Sequence, residues 1–206
     1  MNKKILIYGI QRSGTNYLEK NLKKNNLINS NNKKKRNNEL HKHFRFHNHQ
    51  FIIPYVNYHK SSPILSFDDV IENNKIDHVI VLQKNIYNWY PSICKWAKKN
   101  KWKFSDKYFS EEYIEDYYLF YKFFEDKECI KINYEDLLFQ VEHIIDIFKP
   151  YGIELKKENF NLGKIPHSTH PTIFYKDKYS TTSHLFKKDI DNKLFNLKKR
   201  YGRSMV

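Results

Sequence analysis

At 206 residues and 25.2 kDa, the chain is long enough for one domain with a real core and too short for two comfortable ones, so we expect a single domain over 1–206. Hydrophobic residues at 40% and aromatic residues at 17% exclude a disordered chain, although a mean hydropathy of -0.80 shows how much Lys and Asn surround them. The formal charge of +14 invites an anionic partner, but Ala97 is the only alanine and Gly numbers 5, the skew of an AT-rich genome, and the lysines are scattered without a basic recognition helix, which argues against a specific nucleic-acid partner.

Along the chain, Lys4 to Tyr8 reads as a short apolar strand, and Thr15 to Lys24 as a helix with Tyr17, Leu18 and Leu22 on one face. The start shows no long apolar run, so no signal peptide or membrane anchor is expected and a cytoplasmic location is. The Asn/Lys tract Lys23 to Asn38 reads as a solvated surface loop. Residues then alternate, Leu40, Phe44 and Phe46 toward one side and His41, His43, Arg45 and His47 toward the other, which predicts a half-buried strand.

His78 to Gln83 is a second fully apolar strand, and the Trp/Tyr-rich run after it fits a helix with Pro91 in its first turn. Its Trp89, Tyr90 and Trp96 read most simply as core, with Trp89 also able to line a pocket. Ser110 is placed as the cap of a helix running to about Asp126, buried through Tyr113, Tyr117, Phe120, Tyr121 and Phe124. Cys129 to Tyr134 forms another strand, a helix stopped by Pro150 follows, and Asp191 to Tyr201 reads as a last helix ending at Gly202. Apolar strands alternating with helices predict a three-layer α/β fold, a central parallel β-sheet flanked by helices. Cys94 and Cys129 stand alone, which supports neither a disulfide nor a cysteine zinc site.

The first strand runs into "GIQRSGT", Gly9 to Thr15, and then into a helix. Backbone N–H groups and the positive end of the helix dipole make such a loop an anion site, and glycine permits close approach. The phosphate loop of nucleotide triphosphatases is G-x-x-x-x-G-K-[ST], and here Thr15 takes the lysine place with Asn16 next, which disfavours an ordinary ATP or GTP hydrolase. Arg12 supplies a fixed cation inside the loop instead.

"RSGTNYL" resembles the 5'-phosphosulfate loop of the PAPS-dependent sulfotransferases, in which a Lys or Arg followed by Ser-Gly-Thr wraps the donor's 5'-phosphate and its sulfate. That family follows its central strand with an Arg and, eight residues later, a Ser, which together bind the 3'-phosphate. "VIVLQKNIYNWYPS" is similar, with Lys84 and Ser92. "INYEDLL" is similar to a third family segment, whose tyrosine lies near the adenine, so Tyr134 is its counterpart. The sequence departs from the family with Lys84 for Arg, Ile86 for Pro and Asn88 for Asp. It also lacks a clear C-terminal Arg-Lys-Gly segment, for which Lys176 and Lys178 are the candidate substitutes.

The resemblance, spanning Lys4 to about Tyr151, implies a P-loop-like sulfotransferase fold over one domain. It implies PAPS as donor, adenosine 3',5'-bisphosphate as product, no metal, and a small-molecule or glycan acceptor. It implies donor binding by Arg12, Ser13, Gly14, Thr15, Asn16, Lys84, Ser92 and Tyr134. "LHKHF" resembles the family's Lys-His segment, which makes His43 the base, with an ordinary pKa of about 6.5. Lys42 is then the cation on a sulfuryl oxygen and Arg12 the one on the bridging oxygen. On a strand Lys42 and His43 would face opposite ways, and His41 is the reserve base. Acceptor specificity is expected from the loops Ser61 to Phe67 and Trp102 to Phe109.

A metal cluster of His41, His43, His47 and His49 is the weaker reading, because a strand would string the four rings out. Two rivals stand beside the sulfotransferase reading: a nucleotide or nucleoside kinase using the same loop shape, and a basic, non-catalytic polyanion-binding protein.

Overall fold

The computed structural model describes residues 2–25, 27–34, 38–46, 65–99, 106–160, 188, 190–197 and 199, with backbone alone at 91, 98 and 106–112. Within them, Lys4–Tyr8 forms β1, Thr15–Leu22 α1, Ile28–Asn29 β2, Phe67–Asn74 α2, His78–Gln83 β3, Ile86–Lys99 α3, Asp106–Phe123 α4, Ile130–Asn133 β4, Tyr134–Phe139 α5 and Val141–Phe148 α6. Residues 190–197 are also helical.

The four strands pair in the order β2-β1-β3-β4, every pair parallel. Ile5 stands opposite His78 and Tyr8 opposite Val81, while Ile80 stands opposite Ile130. Successive side chains on a strand point to opposite faces, so each apolar run feeds two cores. Leu6, Tyr8, Val79 and Val81 pack with α2, α3 and α4. Ile5, Ile7, Ile80, Leu82, Ile130 and Ile132 pack with α1, α5 and α6. The result is the expected α/β arrangement of a parallel sheet between two helical layers.

Several expectations are corrected. The Asn/Lys tract is not all loop, because Ile28–Asn29 pairs with Lys4 and Ile5 as the edge strand β2. Beyond it the buried Asn31 continues the ladder with its side chain. Its Oδ1 accepts the Ile7 N–H at 2.9 Å, and its Nδ2 donates to the Ile7 and Leu40 carbonyls at 3.1 and 3.0 Å. A carboxamide offers the same donor and acceptor as a peptide, so a polar residue serves where a strand backbone would.

Residues 38–46 do not form the predicted strand. The Asn38 carbonyl accepts the His41 N–H, and the His41 carbonyl accepts the Phe44 N–H at 2.8 Å, so the backbone closes successive turns. It meets the chain past β1 and β2 through isolated bonds, Gly9 N–H to the Lys42 carbonyl and Asn32 N–H to the Leu40 carbonyl, without a strand ladder. The alternation fails accordingly, since Phe44, His41 and Arg45 are all buried.

Other helix limits also differ. Asp106 rather than Ser110 opens α4, which places Ser110 inside the helix and part of the presumed specificity loop 102–109 within it. The expected stripe of Tyr113, Tyr117, Phe120, Tyr121 and Phe124 is buried, together with Ile114, Asp116 and Tyr118. Pro91 lies in the second turn of α3, not the first. The single helix expected before Pro150 breaks at Gln140 (φ -130°, ψ 59°), and α5 and α6 each aim their own apolar residues at the same core. α2 was not foreseen, although Ser66 and Asp69 form a capping box at its start. Gly202, the proposed last-helix stop, lies outside the described residues, as do Lys176, Lys178, His47 and His49.

Candidate functional site

The chain leaves β1 for β2 on one side and later returns with β3 on the other, so the strand order reverses between β1 and β3. Ligands of open parallel sheets settle in the crevice outside the carboxyl ends of the strands at such a point. The loops that meet there are residues 9–14 after β1 and residues 84–85 after β3.

The first loop is built to one shape. Ile10 to Ser13 form a turn closed by the Ser13 N–H on the Ile10 carbonyl at 3.0 Å. Arg12 holds φ 71° within it. A side-chain-bearing residue in that region costs energy and persists only where surrounding contacts fix it. Those contacts are present. The Gly9 N–H donates to the Lys42 carbonyl at 3.0 Å, and the Trp89 indole N–H donates to the Gln11 carbonyl at 2.6 Å. Trp89 is fully buried, so it braces the loop rather than lining an acceptor pocket.

Arg12 is thereby aimed across the crevice. Its Nε lies 3.4 Å from Ser92 Oγ on α3, and its guanidinium carbon sits 4.9 Å from the centre of the Trp96 ring. Trp96 is 37% exposed, so it is not the core residue expected but a surface ring beside Arg12. Partial burial pulls the Arg12 pKa down and Tyr134 opposes it. The guanidinium keeps its charge at neutral pH.

α1 begins at the end of the loop. Its N-cap is Gly14 at φ 98°, with no side-chain cap and no acidic residue in the first turn. Its leading N–H groups and positive dipole end therefore meet an uncapped, carboxylate-free entrance. Both glycines are required sterically. A Cβ on Gly9 would come within 2.6–2.9 Å of Ser13 Oγ, Thr15 Cγ2 and the Leu82 carbonyl oxygen, and one on Gly14 within 2.3 Å of the Tyr134 ring. Ser13 and Thr15 are buried while Asn16 is exposed, so the Ser13 and Thr15 hydroxyls are not presented at the surface.

The turn at 38–46 brings Lys42 and His43 to this same loop, which the opposite faces of a strand would not have done. Lys42 Nζ bonds Glu19 Oε1 at 3.0 Å and Asn16 Oδ1 on the first turns of α1. His43 Nδ1 meets the Gly9 carbonyl at 2.5 Å. A carbonyl only accepts, so the neutral imidazole carries its proton on Nδ1 and a lone pair on Nε2. Burial holds the His43 pKa well below the usual 6.5 despite the Gly9 bond, and His41, Arg45 and Lys42 push the same way as burial. The ring is thus a neutral proton acceptor at neutral pH. His41 stands behind it, its Nδ1 accepting the His43 backbone N–H at 3.2 Å.

Across the crevice the sequence expectations fit less well. Lys84 and Tyr134 are fully buried. Lys84 Nζ lies 5.0 Å from the centre of the Tyr134 ring, and burial pulls its pKa down to about 8, with Glu135 opposing and Arg12 adding to the shift. Neither side chain is presented at the surface of the crevice. Glu135 accepts the Asn85 N–H at 3.2 Å and the Asn88 Nδ2 at 2.8 Å, so the N-terminus of α3 already holds a carboxylate. Arg12 and Ser92 are brought together, and Lys84 stands as a cation behind them.

Sequence reasoning missed Arg45 and Asp116, which carry the heaviest polar load near the loop. The signal was a charged residue at 45 inside an aromatic run and another at 116 on the apolar side of α4. Among the described residues, no group of three His, Cys, Asp or Glu side chains is arranged to hold a metal ion, and no helix is long and apolar enough to cross a membrane. Cys94 and Cys129 carry no disulfide. No family model, curated protein or solved structure matches the chain.

Proposed function

We propose that the protein is a sulfotransferase that moves a sulfuryl group from PAPS to a hydroxyl or amine of a small-molecule or glycan acceptor. The observation that carries this reading is the pairing of a fixed cation with a neutral base on one loop. Arg12, held at positive φ, faces Ser92 at 3.4 Å, while His43 rests its Nδ1–H on Gly9 of the same loop.

The 5'-phosphosulfate would lie on the loop backbone and the start of α1, where N–H groups and the helix dipole favour an anion. Arg12 is the charge that meets the bridging oxygen as the S–O bond to the leaving phosphate breaks. The acceptor oxygen or nitrogen forms the new bond to sulfur and passes its proton to His43 Nε2. Such transfers depend on positioning and charge stabilisation more than on covalent catalysis, as phosphoryl transfer does. Ser92 supplies the contact for the second phosphate. Lys84 contributes charge from beneath Tyr134, a role that needs no direct contact. The absence of a loop lysine, with Thr15 in its place, weighs against an ATP-dependent kinase.

Thermal melting with PAPS, adenosine 3',5'-bisphosphate, 5'-AMP, and ATP with magnesium tests the reading, since a ligand that binds only the folded state raises the melting temperature by mass action. The first two ligands should stabilise and the others have little effect. Stabilisation by ATP with magnesium alone would defeat the proposal. Binding to DNA with a steep salt dependence, and no response to the bisphosphate, would point to a polyanion-binding protein instead.

A further inference from the structure

Arg45 is buried, at 1% exposure, and each nitrogen of its guanidinium donates a hydrogen bond. Nε and Nη2 form a two-pronged contact with Asp116 on α4, at 2.8 and 2.7 Å. Nη1 donates to the His43 carbonyl at 2.6 Å, and Nη2 also donates to Gln11 Oε1 at 2.6 Å. The Phe120 ring lies 4.8 Å from its central carbon. A buried ion pair is weak support for stability, because desolvating both charges costs about as much as their attraction returns. What this one does is geometric. Its planar fork holds three chain segments at fixed angles: α4 through Asp116, the turn of His43 through its carbonyl, and the anion loop through Gln11.

We propose that Arg45, oriented by Asp116, is a positioning residue that locks the His43 turn and the Gln11–Arg12 loop into one rigid unit, so that the proton acceptor and the anion site keep a fixed separation. The inference rests on the sulfotransferase reading for its purpose, though not for its mechanics. Gln11 and Arg12 are the two central residues of the turn closed by Ser13, and Arg12 occupies the costly conformation. A hydrogen bond to the Gln11 side chain and another to its carbonyl pin the residue that precedes that conformation. Without the Arg45 bond, the Trp89 bond is the tertiary hydrogen bond left to Gln11 among the described residues. The loop then relaxes toward ordinary dihedrals, and Arg12 leaves Ser92.

The test uses the full chain and Gln11→Ala, which removes the link to the loop while leaving Arg45 and Asp116 paired, so the fold is kept. Amide hydrogen exchange is read at Ser13, whose N–H closes the turn, and at Ile7 in β1 as an internal reference. Exchange at Ser13 should quicken about tenfold with Ile7 unchanged, a local effect that general destabilisation does not produce. Affinity for adenosine 3',5'-bisphosphate should fall about tenfold. Arg45→Lys, which abolishes the fork, should add little to Gln11→Ala in the double variant if the two act through one bond. Ser13 exchange that matches the parent protein, or full additivity in the double variant, overturns the clamp. If Ser13 exchange quickens but the parent protein binds neither the bisphosphate nor inorganic phosphate, the clamp stands and the sulfotransferase reading fails.

Discussion

Arg12 Nε and Ser92 Oγ lie 3.4 Å apart and join the loop after β1 to α3 across the reversal point of the sheet. The arginine pays for this reach with a backbone φ of 71°, a region that costs a residue with a Cβ roughly 1–2 kcal/mol. Arg12→Gly separates the two properties. Glycine adopts that dihedral without strain, so the ligand-free protein should keep its stability or gain up to about 1 kcal/mol. The melting shift with adenosine 3',5'-bisphosphate should disappear with the cation. A glycine variant that melts several degrees lower, or that keeps the shift, contradicts the assignment.

Gly14 and Tyr134 make the second steric test. Gly14 sits at φ 98° with the Tyr134 ring where a Cβ would go. Gly14→Ala therefore combines backbone strain with a clash against a fully buried ring, and should cost about 2–4 kcal/mol in urea denaturation. Trimming the ring as well, in Gly14→Ala with Tyr134→Leu, relieves the clash but not the strain. Its loss should fall short of the sum of the two single losses.

How much of this was readable beforehand follows from which forces act locally. β1, β3 and β4 were legible because strands buried on both faces must be apolar throughout, and the loop between β1 and α1 was legible because its glycines punctuate an apolar strand and a helical pattern. β2 was hidden because a two-residue edge strand needs little apolar content, and the side chain of Asn31 does the rest of the pairing. The turn at 38–46 was misread because the alternation of Leu40, Phe44 and Phe46 with polar residues fits a strand equally well. Arg45 is buried there because Asp116 and Gln11 pair its guanidinium, and both partners lie far away in sequence. The break at Gln140 left no trace either, since Leu137, Val141, Ile144 and Phe148 keep a helical spacing straight through it. The site followed the same division. Ser92, which the motif spacing pairs with Lys84, meets Arg12 instead, while Lys84 and Tyr134 turn inward, a matter of side-chain direction that motif spacing does not encode.

His43, held neutral by burial despite its bond to the Gly9 carbonyl, should contribute to the acid limb of stability. The folded His43 titrates well below 6.5 because burial disfavours its charged form, while the unfolded imidazole titrates near 6.5. Between those values the unfolded chain binds the extra proton, so stability rises with pH. The contribution is complete above about pH 6.5 and is lost as the pH falls toward the folded value, with a slope of at most about 1.4 kcal/mol per pH unit for one group. His78, also lowered, by partial burial and then Lys3, adds to the same limb. Urea denaturation from pH 8 to pH 5 should show the decline, and His43→Gln should flatten it. An unchanged acid limb in that variant would mean that His43 is not the group being protonated. A reaction relying on neutral His43 should also keep its rate from pH 8 to below 6.5.

Asp116 and Arg45 form a buried pair whose two halves are unequal in consequence. Removing the carboxylate alone, in Asp116→Ala, strands a buried guanidinium and should cost about 3–5 kcal/mol. Replacing both, in Arg45→Met with Asp116→Leu, leaves no orphaned charge and refills the space against Phe120. It should recover most of that loss even though every bond of the fork is gone. The double variant should nevertheless bind adenosine 3',5'-bisphosphate less well than the parent protein, because the loop at Gln11 has lost its anchor while the fold has not. Urea denaturation and a bisphosphate titration on the same samples separate the two quantities. If the double variant is as unstable as Asp116→Ala, the fork's bonds to Gln11 and the His43 carbonyl contribute to folding itself; if it binds as tightly as the parent, the loop holds its shape without Arg45.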